Sequence, residues 1–129
     1  MLNVENAWVT NHGPDDPLTM YLREVSDVEP LSRDEETQLI SELRARRNWD
    51  EASELIARKL IESHLGLVIT VAQKYSESGI PMLDLIEEGN FGLIRAVRSF
   101  AENPIGDFTA YASARIDEAI AKVVPGGGQ

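Results

Sequence analysis

From Asp16 onward, apolar residues recur at steps of three and four. Leu18, Tyr21, Leu22 and Val25 fall on one side of a short helix that Asp15 or Asp16 can cap, with Pro17 in its first turn. The Val28 to Leu31 stretch, with Pro30, ends it. Ser32 followed three residues later by Glu35 is a capping-box signature, and Leu39, Ile40 and Leu43 continue at helical spacing to about Arg47. Between Asp50 and Glu77 the positions Ala52, Leu55, Ile56, Leu60, Leu65, Val68, Ile69 and Ala72 predict one long helix with a weak point at His64 to Gly66, bent or broken near Gly66. Ser78-Gly79-Ile80-Pro81 stops that pattern, and a fourth helix is predicted from about Pro81 to Ser99. After a second break at Asn103-Pro104-Ile105-Gly106, Asp107 can cap a last helix through about Val123. No strand-like alternation and no repeat is found. The chain therefore reads as an all-α bundle of about five helices over residues 16–123, with 1–15 a flexible arm and 124–129 a flexible tail.

Composition narrows the function. A chain of 129 residues, 43% hydrophobic, buries one core, and the absence of cysteine removes disulfides and thiolate zinc sites. His12 and His64 lie far apart in sequence, so no metal and no cofactor is expected. No nucleophile with a neighbouring base and no phosphate loop can be assembled, which argues against an enzyme and a small-molecule substrate. Apolar clusters such as Leu65 to Ala72 are too short to span a membrane, and a cytoplasmic protein is expected. The net charge of −10, from 22 acidic against 12 basic residues, disfavours unassisted binding to DNA.

The richest stretch runs from Met82 to Phe100. At 100° per residue, Leu83, Ile86, Leu93, Ile94 and Val97 fall together, with Asn90 in their midst, and are predicted to face the core. Asp84, Glu88, Phe91 and Arg95 form a second face, with Glu87 at the boundary. Carboxylates near a helix N-terminus are favourable in themselves, and most charged faces are only solvated. An aromatic ring among them is what solvation leaves unexplained, and it suggests a docking patch for a basic partner.

Several segments, in order, resemble one family. Asp16-Pro-Leu-Thr-Met-Tyr-Leu-Arg-Glu24, Leu31-Ser-Arg-Asp-Glu-Glu36, His64-Leu-Gly-Leu-Val-Ile-Thr-Val-Ala-Gln-Lys-Tyr75 and Asp84-Leu-Ile-Glu-Glu-Gly-Asn-Phe-Gly-Leu-Ile-Arg-Ala-Val-Arg-Ser-Phe100 are similar to regions 1.2 and 2 of sigma-70 factors. The resemblance covers about residues 16–122 and implies that family's helical bundle. It further implies that the chain binds core RNA polymerase at the clamp helices of the β′ subunit through Asp84, Leu85, Ile86, Glu87, Glu88, Asn90 and Phe91.

The departures concern promoter DNA. In the family, aromatic and basic residues that follow the position of Phe100 melt the −10 element. Here Phe100, Phe108, Tyr111 and Arg115 are the remaining candidate DNA contacts, while Ala114 and Arg115 replace two tryptophans and Asp117 replaces an arginine. Gly66 stands where the family usually has arginine. Between Phe100 and Val124 only Arg115 and Lys122 are basic, against four acids. A transcription initiation factor, or a fragment of one, is expected, with promoter contact weak or lost and confined to the holoenzyme. The alternative is a sigma mimic that occupies the clamp helices as a regulator, or an interaction module without promoter-directed activity.

Overall fold

A computed structural model describes residues 16–104 and 106–126. The expectations for the arm at 1–15 and for the last three residues of the tail lie outside them. Among the described residues six helices form the bundle: α1 (Pro17–Ser26), α2 (Arg33–Ala45), α3 (Glu51–Ser63), α4 (Leu65–Gln73), α5 (Met82–Glu102) and α6 (Phe108–Val123). No strand occurs among the described residues. The all-α bundle is as the spacing predicts.

The starts of four helices follow from their caps. Asp16 accepts hydrogen bonds from the backbone N–H groups of Leu18 (3.0 Å) and Thr19 (3.3 Å). Ser32 and Glu35 exchange the two bonds of a capping box, at 3.1 and 2.9 Å. The bond from the Ser32 N–H, and after it one from the Ser32 side chain, holds the Glu35 carboxyl below its ordinary range. Asp50 accepts from the Ser53 N–H and hydroxyl, and Asp107 from the Ala110 N–H. Gly106, at φ +71°, turns the chain into α6 in a conformation that L side chains avoid.

The long third helix is two helices, and the break falls at His64, within the weak point that the spacing marks. His64 leaves helical geometry (φ −113°, ψ 8°), and its ring is buried. Its Nδ1 donates to the Leu60 carbonyl at 2.7 Å, and Nε2 lies 3.0 Å from Glu36 Oε1 and 3.3 Å from the Thr109 hydroxyl. The ring also meets Phe108 edge-on at 4.9 Å. The side chain thus ties α2, α3 and α6 together, and long-range contacts of this kind are invisible to local spacing.

The centre of the bundle is α4 and α5 packed on α6. Val68, Ile69, Val71 and Ala72 of α4 are buried with Leu85, Leu93, Ala96 and Val97 of α5 and Ala112, Ile116 and Ile120 of α6. Small residues set how closely α5 and α6 approach. A Cβ on Gly92 would stand 2.9 Å from the Arg115 carbonyl oxygen, and one on Gly89 would stand 2.7 Å from Val68 Cγ1.

This corrects the helical wheel. Leu83 and Ile94 are 36% and 38% exposed, whereas Leu85, Gly89, Gly92 and Ala96 join Ile86, Leu93 and Val97 on the inner face. A wheel centres on large apolar side chains, but the axis of burial runs along the small ones, where another helix comes nearest.

Candidate functional site

The outer face of α5 is built from its core outward. Eight buried residues fix the helix from beneath, and among them are Leu85 and Ile86, 0% and 2% exposed. The family resemblance includes these two in the polymerase contact. Their side chains belong to the core, so they hold α5 in place and are not offered to the surface.

The remaining candidates come together on the outside. Asp84 and Glu87 are exposed, Glu88 is half-buried, and Phe91 is 48% exposed. Leu83 and Ile94 flank them, so the face is more apolar than the wheel suggests. Asp84 lies in the first turn of a helix whose N-terminus lacks a side-chain cap, where a carboxylate is favourably placed. Asn90 is half-buried and donates from Nδ2 to the Tyr21 hydroxyl at 3.3 Å, which ties α5 to α1.

The second candidate group lies where α5 meets α6. Phe100 and Phe108 are buried, with ring centroids 5.2 Å apart, and Tyr111 is a further 5.2 Å from Phe100. The three rings cluster, but Tyr111 alone reaches the surface. Its hydroxyl lies 2.6 Å from that of Ser99, and the Arg115 guanidinium sits 5.2 Å over its ring. Arg115 is in turn paired with Glu118 at 2.9 Å. Asp117 accepts a 2.8 Å hydrogen bond from Tyr75 of the 74–80 connection, which, after burial, helps to push the Tyr75 phenol up from its ordinary value. No group of histidines and carboxylates suited to a metal ion is found among the described residues, and no described helix is long and apolar enough to cross a membrane.

Sequence reasoning missed the connection between α2 and α3. There Arg98 of α5 lies over the ring of Trp49 and pairs with Glu54, a contact joining residues 44 to 49 positions apart.

Both surfaces fall within regions that known proteins share. The sequence model of Sigma-70 region 2 matches residues 60–123, which contain α4, α5 and α6, and that of Sigma-70 factor, region 1.2 matches residues 16–39. The chain belongs to the sigma-70 family. An RNA polymerase sigma factor SigA of Lactococcus lactis subsp. cremoris is 40% identical over 116 residues, 90% of this chain and 31% of that protein. A SigA of a Bacillus species is 40% identical over 109 residues, 84% of this chain and 27% of the relative. That of Clostridium acetobutylicum is 39% identical over 110 residues, 85% and 28%. This sigma-70 chain thus spans under a third of the length of the relatives it matches. Its region 2 match holds the outer face of α5 and the aromatic cluster, and its region 1.2 match holds α1 and the first half of α2.

Proposed function

We propose that this chain acts in transcription initiation by docking on core RNA polymerase, at the clamp helices of the β′ subunit, through Asp84, Glu87, Glu88, Asn90 and Phe91. The observation that carries the reading is an aromatic side chain, Phe91, left 48% exposed among carboxylates on a helix whose inner face is packed closely at its glycines. A rigid helix with an exposed anchor suits docking, because little conformational freedom is lost on binding. Membership of the sigma-70 family supports the same partner.

Promoter contact is the weaker half of the function. Phe100 and Phe108 are in the core, and Tyr111 is engaged by Ser99 and Arg115, which leaves few free stacking surfaces for unpaired bases. The same features favour, as a second reading, a regulator that occupies the polymerase site without opening promoters.

Surface plasmon resonance against immobilised core polymerase tests the docking. Asp84→Lys with Glu88→Lys should abolish binding while circular dichroism stays that of the parent, since reversing two charges against a basic partner costs several kcal/mol. The control, Lys59→Glu on α3, lies outside the acidic patch. By fluorescence anisotropy, the free chain should show no binding to a single-stranded −10 oligonucleotide below about 1 μM at physiological salt. Retained polymerase binding by the double variant would leave the acidic face a solvated surface.

A further inference from the structure

Phe91, Ile94 and Arg98 follow one another on α5 at steps of three and four, so they lie along one stripe. The stripe does not end with the helix. The Arg98 guanidinium sits 4.4 Å from the centroid of the Trp49 ring and donates from Nη2 to Glu54 Oε1 at 3.1 Å. The indole N–H of Trp49 donates to the same carboxylate. Trp49 is 37% exposed and the Arg98 side chain 52%, so the stacked pair is held in place and still open to solvent. It forms one wall of a cleft of about 420 Å³ that Arg44, Arg47 and Glu102 also line. Arg46 of this cleft is matched by Asp50 in a two-bond pair at 3.0 Å, and Arg98 by Glu54, which leaves Arg44 and Arg47 against Glu102.

The whole face is therefore graded in charge. Asp84, Glu87 and Glu88 stand at one end, Phe91 and Ile94 in the middle, and arginines around a tryptophan at the other. Tryptophan and arginine dominate binding energy at protein interfaces, most of all when they are held before the partner arrives. A surface of this polarity also selects direction, because a partner laid the other way brings like charges together.

We propose that the docking face continues from α5 onto the α2–α3 connection, with Trp49 as a second anchor, and that it fits a helical protein segment basic opposite Asp84 to Glu88 and acidic opposite Arg44 and Arg47. This rests on the polymerase-docking reading and extends it to the half of the face that an acidic patch does not describe. It assigns Trp49 a place under the partner, and it fixes the direction in which the partner's helix runs.

The test uses the full chain with purified core polymerase and no DNA. Hydroxyl-radical footprinting should show oxidation of Trp49 reduced at least threefold when core is added. Trp49→Ala and Arg98→Glu should each weaken binding about tenfold or more, and Lys59→Glu should leave it unchanged. Because Arg98→Glu also places a carboxylate beside Glu54, Trp49→Ala and the footprint of the unsubstituted chain are the deciding measurements. If the parent binds core, Asp84→Lys with Glu88→Lys does not, and Trp49 is as oxidisable as before with Trp49→Ala binding within twofold, the extension fails and the docking reading stands. If the parent does not bind core, both fall. Protection of Trp49 by promoter DNA and not by core would make this a nucleic-acid surface and overturn the proposal.

Discussion

The α5–α6 pair and the α2–α3 hairpin are held by different means. Eight residues of α5 are buried, and its glycines let α6 come close enough that an added methyl would meet backbone. Of α2, only Leu43 is fully buried, with Leu39 and Ile40 partly so. What fixes α2 and its turn into α3 is polar: the Ser32–Glu35 box, the Glu36–His64 contact and the Arg46–Asp50–Ser53 cap. Apolar packing is indifferent to pH and intolerant of volume. A polar framework tolerates volume at its exposed positions and depends on the protonation of its carboxylates.

On that contrast, the largest effect belongs to the glycine contact. Gly92→Val should destabilise the chain by about 3 kcal/mol, since its Cβ would press on the Arg115 carbonyl and on Ala119. Urea unfolding followed by circular dichroism measures it, and a loss of under about 1 kcal/mol would mean that α5 and α6 separate easily. A smaller effect is expected where the two regions meet. His64→Ala removes the partner of the Leu60 carbonyl and of Glu36 and the edge contact with Phe108, and should lower stability by about 2 kcal/mol. Hydrogen exchange should then rise first in α2, whose amides lose their tie to the core, and uniform loss across the bundle would contradict the division.

The smallest effect is a matter of pH. Arg46, and after it the Ser53 N–H, hold the Asp50 carboxyl well below the usual carboxylate range. A carboxyl depressed in the folded state stabilises it above the unfolded-state value and loses that contribution as the pH falls through the folded-state value. Thermal midpoints of the parent should therefore decline between about pH 4 and pH 2, and Asp50→Asn should flatten part of that decline. An unchanged acid branch in the variant would take Asp50 out of the framework.

What can be read from the sequence follows the same division. Caps and turn residues act within four positions, so the helix starts at Asp16, Ser32, Asp50 and Asp107 are legible in the local residue pattern alone. The core face of α5 is displaced from where its large apolar residues put it, because a glycine signals burial only when the helix it admits is known. Leu85 and Ile86 belong to a motif that is matched as a whole, and a motif does not say which of its members point inward. Spacing marks the weak point of the long helix at His64 to Gly66, but it carries no sign that the His64 ring joins residues 28 positions before it to others 45 after. The Trp49–Arg98 stack has no local signal at all. Arginines far apart in sequence read as separate charges until the fold sets one of them over an indole.

The glycines of α5 have a mechanical consequence. With Gly89 and Gly92 against α4 and α6 there is no compliant layer between the helix that carries Phe91 and the one that carries Tyr111. A tightly packed interior transmits displacement instead of absorbing it. The two helices pack as one beam, so a displacement imposed at Phe91 should be felt at the aromatic cluster.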